Sequence, residues 1–240
     1  MALAYVAATS VTRTTYTGSQ TISFASGTCD LLVLWTSNYS GTGDIFTGVT
    51  FNGSAMTKVT GASGTQGAIY ASCWYIYGQS GTHDIVVSFS GSNQDLNTAV
   101  VSYSGALQSS SVIAASNFTT NTSTSITCTI TTAATANCWV VGQCGTYGET
   151  ATFSAPTTQR SGTDGNYKIG DSNGTVTASS TYDITATMLN GNNFMAGVEI
   201  APAVAAGPAN LKSYNTNVKA NIKSIDTNLI ANVKSLDTNA

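Results

Sequence analysis

The first 200 residues show two kinds of hydrophobic pattern, and both predict β-strands. Residues 20–26 (QTISFAS) alternate polar and apolar side chains, as a strand with one buried face does. Residues 29–35 (CDLLVLW) form a short continuous apolar run, which predicts a strand buried on both faces. Comparable strand signals follow at residues 68–77, 82–90, 98–104, 123–131, 138–144, 175–178, 182–188 and 194–200. About a dozen strands at roughly 8–12-residue spacing predict an all-β fold, an antiparallel β-sandwich of jelly-roll-like type.

A β-hairpin is predicted within residues 49–59 (VTFNGSAMTKV). Asn52 and Gly53 stand between two arms that are rich in strand-forming residues. A two-residue type I′ turn requires positive φ at both central residues, and the pair Asn-Gly accepts that conformation readily. We therefore expect two antiparallel strands joined at Asn52-Gly53.

After residue 210 the sequence repeats every 11 residues: LKSYNTNVKAN, IKSIDTNLIAN and VKSLDTNA. The apolar residues keep a 3-4-4 spacing at Leu211, Tyr214, Val218, Ile222, Ile225, Leu229, Val233 and Leu236. Eleven residues over three turns is 3.67 per turn, so a helix keeps these side chains on one stripe, whereas a strand does not. Asn, Thr, Ser and Asp are indifferent or poor helix formers. We predict a helical tail, with an extended or β-solenoid-like arm and a disordered segment as the alternatives.

These patterns divide the chain into three parts. Residues 1–200 are predicted to form the β-sandwich domain, and residues 201–210 a Pro/Ala/Gly hinge that contains Pro202 and Pro208. Residues 211–240 form the repeat tail. An isolated helix of this composition is marginal in water, so we expect the tail to oligomerise or anchor the chain by burying its apolar stripe.

Charge is scarce along the whole chain. Charged residues make up 8% of the sequence, against roughly 25% in an average soluble domain, and the formal net charge is -3. Without clustered Lys and Arg, nucleic acid is not expected as a partner. No stretch approaches the 18 or more apolar residues of a membrane span, and the N-terminus lacks the basic start of a signal peptide. We expect no membrane partner, and a virion or extracellular location after cytosolic synthesis.

The residues that could support catalysis do not form a recognisable set. His83 lies beside Asp84, but no nucleophile motif accompanies the pair. Two carboxylates can always be chosen from eleven, so Glu149 and Glu199 do not by themselves indicate a glycosidase. We predict that the chain is not an enzyme. Five cysteines without a CxxC pair are interpreted as buried thiols, with disulfides as the alternative: Cys29, Cys73, Cys128, Cys138 and Cys144.

Two groups of residues could bind ligands. Asp164, Asn166, Asp171 and Asn173 gather oxygen atoms in one predicted loop, which could hold Ca²⁺; no other cofactor is expected. Such residues are also ordinary turn formers. Aromatic side chains could present rings for glycan stacking, and the candidates are Tyr39, Trp74, Tyr147 and Tyr167.

Several segments resemble those of β-sandwich proteins from tailed phages and environmental bacterial genomes. They are DLLVLW (30–35), GVTFNGSAMTKV (48–59), WYIYGQSGTHDIVVSFSG (74–91), AVVSYSGA (99–106) and GVEIAPA (197–203). The tail is similar to the tandem 11-residue "IKSxxTN" arrays of phage-like surface proteins, although Asn-Thr or Asp-Thr stands where those arrays often carry Asn-Gly. The matching segments of the body cover most of the first 200 residues but include no active-site motif, so the resemblance implies no catalytic residue.

The resemblance implies a virion structural protein, such as a tail fibre, a tail component or a capsid decoration. Its partners would be other copies of the chain, three by analogy with trimeric phage appendages, and other virion proteins. The alternative is a carbohydrate-binding module of a host-recognition or bacterial surface protein, or of a bacterial filament protein.

Overall fold

The computed structural model describes residues 2–39, 43–91, 94–134, 136–146, 150–161, 167–188 and 191–204. Seventeen strands lie within these residues, and the fold is all-β as predicted. The strands are β1 (Ala4–Tyr16), β2 (Ser19–Ala25), β3 (Leu31–Tyr39), β4 (Phe46–Phe51), β5 (Ser54–Ala55), β6 (Thr57–Gln66), β7 (Ile69–Tyr77), β8 (Thr82–Phe89), β9 (Gln94–Ser104), β10 (Ile113–Asn121), β11 (Ser125–Thr131), β12 (Trp139–Thr146), β13 (Thr152–Phe153), β14 (Thr158–Ser161), β15 (Tyr167–Asp171), β16 (Thr181–Thr187) and β17 (Asn193–Ile200).

The strands form four antiparallel sheets. Inner sheet 1 has the order β1-β9-β3-β7-β6, and outer sheet 1 has the order β2-β8-β4-β5. Inner sheet 2 has the order β10-β17-β12-β15-β14, and outer sheet 2 has the order β11-β16-β13. Inner sheet 1 and outer sheet 1 are formed by strands β1 to β9, which we call repeat 1. Inner sheet 2 and outer sheet 2 are formed by strands β10 to β17, which we call repeat 2.

The two repeats have the same topology. In each, the first strand pairs with the last, the last with the third, and the third with the sixth. The second strand pairs with the seventh, and the seventh with the fourth, which completes the strand order of a jelly roll. In repeat 1 the fifth strand is divided into β5 and β6. Strand β5 pairs with β4 in outer sheet 1, and strand β6 pairs with β7 in inner sheet 1. The sequence predicted one sandwich over residues 1–200; the structure contains two jelly rolls in tandem.

The four sheets stack into four layers with three hydrophobic cores between them. One core lies between outer sheet 1 and inner sheet 1 and includes Ile22, Phe24, Leu32, Leu34 and Trp74. A second core joins the two inner sheets and includes Val33, Trp35, Val101, Val141 and Val198. A third core lies between inner sheet 2 and outer sheet 2 and includes Ile126, Val140, Ile184 and Met195. The inner sheets are therefore buried on both faces.

This layering explains the two hydrophobic patterns in the sequence. Strand β3 belongs to an inner sheet, and all of its residues from Leu31 to Asn38 are buried. Strand β2 belongs to an outer sheet, and its residues alternate strictly between exposed and buried. The predictions of a doubly buried strand and of a singly buried strand are both confirmed.

The predicted hairpin is also confirmed. Asn52 and Gly53 have φ angles of 52° and 72°, and they connect β4 to β5 with Phe51 paired to Ser54. Both positive φ values are those of a type I′ turn.

Other predicted boundaries change. The strand expected at 175–178 is reduced to one bridge between Val176 and Cys138. Strand β10 has no predicted counterpart, because its residues are mostly half-buried and show little hydrophobic alternation. The compact unit extends to Val204, since Ala201 and Ala203 form backbone hydrogen bonds with Val112 and Gly105. The repeat tail at 211–240 lies outside the described residues.

Glycines set the spacing between inner sheet 2 and outer sheet 2. Gly142 on β12 pairs with Gly197 on β17, and both face the Ile184 side chain of outer sheet 2. A Cβ atom at Gly142 would lie 2.5 Å from Ile184 Cδ1 and 2.6 Å from the Ala196 carbonyl oxygen. Only hydrogen fits at this point of contact between the layers.

We expect Gly142→Ala to destabilise the protein by about 1–3 kcal/mol, because the added methyl overpacks the core between two sheets. Gly48→Ala is the matched control, since it also lies in a strand and no atom other than those of Gly48 and its chain neighbours is found within 4 Å of its ideal Cβ position. Its free energy of unfolding should stay within about 0.5 kcal/mol of the wild type. Urea denaturation of the three proteins measures the difference, and equal effects of the two substitutions would contradict the close approach at Gly142.

Candidate functional site

The predicted aromatic platforms are largely core residues. Trp74 is 7% exposed and belongs to the core beneath outer sheet 1. Tyr167 is 6% exposed and its ring lies 5.9 Å from that of Phe194. The structure corrects the prediction of exposed rings at these two positions, because both strands are covered on both faces. Tyr39 is half-buried at the end of β3, and Tyr147 lies outside the described residues.

The Lys58 side chain lies over the rings of Trp74 and Tyr70. Its ammonium group pairs with the Asp44 carboxylate, lies 3.2 Å from the Tyr70 hydroxyl, and stands 5.6 Å from the centre of the Trp74 ring. Burial alone would lower the pKa of Lys58, but the Asp44 and Tyr70 contacts outweigh burial and raise that pKa. The cation thus lies against the rings of Tyr70 and Trp74, and Trp74 presents little surface to a sugar.

The predicted calcium loop divides at residue 167. Asp164 and Asn166 lie outside the described residues, whereas residues 167–171 form strand β15. Asp171 is 1% exposed, and the side-chain oxygen of Asn173 accepts a hydrogen bond of 2.6 Å from the Arg160 guanidinium. The described half of the predicted site is therefore occupied by a cationic side chain. Within the described residues no group of three or more His, Cys, Asp or Glu side chains is arranged to hold a metal.

Asp171 instead links the two repeats. Its carboxylate accepts hydrogen bonds from the Tyr103 hydroxyl (2.9 Å) in repeat 1 and from Arg160 Nε (2.8 Å) in repeat 2. The Arg160 guanidinium also lies 4.4 Å from the centre of the Tyr5 ring in repeat 1. Burial, followed by the Asp171 charge, raises the pKa of Tyr103 well above its ordinary value, so the phenol remains a hydrogen-bond donor. This charged cluster is a structural connection between the inner sheets.

Arg160→Met should destabilise the protein by about 3–5 kcal/mol, because the Asp171 carboxylate would remain buried without its cation. Lys168→Met is the control, since it removes a half-buried cation from the same sheet, and it should cost no more than about 0.5 kcal/mol. The free energy of unfolding in urea checks both. A loss at Lys168 as large as that at Arg160 would show that Asp171 does not depend on the guanidinium.

All five cysteines are free and buried, which confirms the interpretation of buried thiols. Burial raises the pKa of Cys144 to about 12 and that of Cys128 to about 11. At neutral pH these thiols are protonated, so they act as small apolar side chains rather than as nucleophiles or metal ligands.

A shallow groove of about 440 Å³ crosses the exposed face of outer sheet 1. Strands β2, β4 and β8 and the Asn52-Gly53 turn supply its lining, which includes Ser23, Thr50, Asn52, Thr82, Asp84 and Val86. His83 borders the groove, and its ring packs edge-on against the buried Phe51 at 5.5 Å. The groove thus combines hydroxyls, one amide, one carboxylate and a small apolar surface.

Asp84 differs from its counterpart in repeat 2. Asp84 stands opposite Ser23, just as Asp183 stands opposite Thr129. Thr129 donates a hydrogen bond of 2.5 Å to the Asp183 carboxylate. Among the described residues, no side chain or backbone N–H donates to the Asp84 carboxylate, so its acceptor oxygens are available within the groove. The His83-Asp84 pair is visible in the sequence because the two residues are adjacent, whereas Ser23 and Thr50 come from other strands and no local signal predicts them.

The predicted tail positions from Leu211 to Leu236 lie outside the described residues. In the described part of the chain, no helix has the length and apolar character needed to cross a membrane.

The chain matches no protein-family model, and searches of curated proteins and of solved structures find no match.

Proposed function

We propose that the chain is a virion structural protein, a phage appendage or capsid decoration that displays its jelly-roll body and assembles through its C-terminal repeats. The observation that carries this proposal is the jelly-roll topology of both repeats, a fold that viral capsid domains use. The resemblance of the chain to phage β-sandwich segments points the same way.

The shared core supports a structural role. Side chains of both repeats, including Val33, Tyr103, Trp139 and Val198, belong to one hydrophobic cluster. The Tyr103–Asp171 hydrogen bond and the contact of the Arg160 guanidinium with the Tyr5 ring cross the same boundary. Moving one repeat against the other would expose apolar surface and remove the Tyr103 hydrogen bond from a buried carboxylate, so the body is a rigid block rather than two hinged domains.

The exposed faces of the outer sheets suit a displayed protein. Thr127 and Thr185 face each other across β11 and β16, with their hydroxyl oxygens 3.0 Å apart. The exposed positions of β2 are Ser19, Thr21, Ser23 and Ala25. Neutral hydroxyls keep these faces hydrated without requiring a high surface charge, which agrees with the 8% of charged residues.

Assembly through the tail is tested by removing residues 205–240. We expect the full chain to form an oligomer, with three copies as the proposed number, and the truncated body to contain fewer copies per particle. Light scattering coupled to size-exclusion chromatography measures both masses. Ile225→Asn, on the apolar stripe, should reduce the copy number because it removes buried apolar surface, whereas Lys223→Asn, off the stripe, should not. Equal copy numbers for the full and truncated chains would contradict the assignment.

Carbohydrate recognition is the second candidate, and the groove around Asp84 favours it. A carboxylate without a protein donor can accept hydrogen bonds from two sugar hydroxyls, and Ser23, Thr50 and Asn52 add donors and acceptors around it. Val86 supplies apolar contact in the same groove. Jelly-roll domains also include lectins.

If the groove binds glycans, Asp84→Asn should reduce affinity by about ten- to a hundredfold, because it removes charge-assisted hydrogen bonds of about 1.5–3 kcal/mol. Asp183→Asn is the matched control at the equivalent position of repeat 2 and should leave affinity unchanged. A glycan array on the full chain identifies the ligand, and titration calorimetry measures the variants. Absence of binding with and without Ca²⁺, or equal losses in both variants, would remove this candidate.

A further inference from the structure

The edge strands of the body are protected against strand pairing in different ways. The four sheets of the described residues have eight edge strands: β1, β6, β10 and β14 in the inner sheets, and β2, β5, β11 and β13 in the outer sheets. Each inner-sheet edge contains a register shift of the bulge type. Strands β5 and β13 are only two residues long. Bulges and short length both hinder the addition of a further strand.

Strand β2 has neither protection. It is seven residues long, contains no charged residue and no proline, and pairs with β8 without a register shift. Hydrogen bonds at both ends, from Phe89 N to the Gly18 carbonyl and from Ser26 N to the Gly81 carbonyl, show that the even-numbered residues bond to β8. In an antiparallel pair the intervening residues direct their N–H and C=O groups the other way. The backbone groups of residues 19, 21, 23 and 25 therefore point outward from the sheet.

The equivalent edge of repeat 2 is capped by side chains. Asn117 Nδ2 on β10 donates to the Thr129 carbonyl at 2.9 Å, and Asn121 Nδ2 donates to the Ser125 carbonyl at 2.7 Å. These are outward carbonyls of β11. Thr9 occupies the position in repeat 1 that corresponds to Asn117, and it has no amide to donate. Among the side chains that the structure describes, none donates to the outward carbonyls of β2.

We propose that β2 of one copy pairs antiparallel with β2 of a second copy and joins two outer sheets 1 into one continuous sheet. In the two-fold register Ile22 stands opposite Ile22 of the second copy, and Thr21 stands opposite Ser23. Because outward residues then face outward residues, their backbone groups exchange hydrogen bonds. Thr–Ser pairs on the exposed face add favourable side-chain contacts.

A second copy is the fitting occupant because β2 is complementary to itself. The strand has no charge that would meet a like charge, and its inward residues Ile22 and Phe24 remain in their own core. The nearest carboxylate on the exposed face is Asp84 on β8. The two Asp84 strands would stand three strand spacings apart, about 14 Å, which exceeds the screening length of about 8 Å at physiological salt.

Thr21→Pro tests the pairing in the full chain. The Thr21 N–H points outward, so proline removes no hydrogen bond to β8 but blocks an added strand. Thr127→Pro is the matched control, since it occupies the equivalent outward position on β11. Sedimentation equilibrium should show that particle mass rises with concentration in the same way for the wild type and for Thr127→Pro. The rise should be smaller for Thr21→Pro, because only association through the tail remains. Identical concentration dependence of all three proteins would overturn the proposal.

Disulfide trapping tests the register. Residues of a hydrogen-bonded antiparallel pair have Cα atoms about 5.5 Å apart, which is within the range of a disulfide. A chain that carries both Thr21→Cys and Ser23→Cys should therefore crosslink to a second copy under oxidation. Thr127→Cys combined with Thr129→Cys should not. Amide hydrogen exchange at residues 19–25 should slow as concentration rises. Failure to crosslink, or protection that is independent of protein concentration, would indicate another register or another partner and would overturn the proposal.

Discussion

The burial of both faces of the two inner sheets determines the rest of this structure. Each inner sheet must fit one neighbour on either side, so β3, β12 and β17 are apolar or small at nearly every position. Buried strands cannot carry polar chemistry without internal partners. Glycine therefore stands at Gly142 and Gly197, where layers meet most closely, and the buried carboxylate of Asp171 is matched by Arg160 and Tyr103. The groove around Asp84 lies instead on the exposed face of an outer sheet.

The two repeats meet like the subunits of a two-fold dimer that has been fused into one chain. Strand β6 of repeat 1 contacts β10 and β17, and its counterpart β14 contacts β1 and β9. Contacts of this reciprocal kind define an isologous interface. Covalent fusion removes the need for identical halves, so equivalent positions differ: Leu34 corresponds to Gly142, and Tyr103 to Ile200. The groove around Asp84 and the Asn caps on β11 are differences of this kind.

The sequence was sufficient for the local features of the fold and insufficient for the long-range ones. Alternation in β2 and the apolar run of β3 identified outer and inner strands, and Asn52-Gly53 identified its turn, because these signals depend on neighbouring residues. The duplication was missed because equivalent positions share topology but few residue types. The burial of Trp74 was not predicted, because the alternation of side chains along a strand does not show whether one or both faces of its sheet are covered. Asp171 resembled a loop ligand, since its partner Tyr103 is 68 residues away in the chain.

The capping of β11 by Asn117 and Asn121 has a consequence for how many contacts each body can make through its outer sheets. A body with two open edges on opposite layers would be bivalent, and bivalent units polymerise into open chains of indefinite length. Two asparagine side chains on β10 reduce the valence of the body to one. Growth through the edges of the outer sheets alone then stops at a pair of bodies.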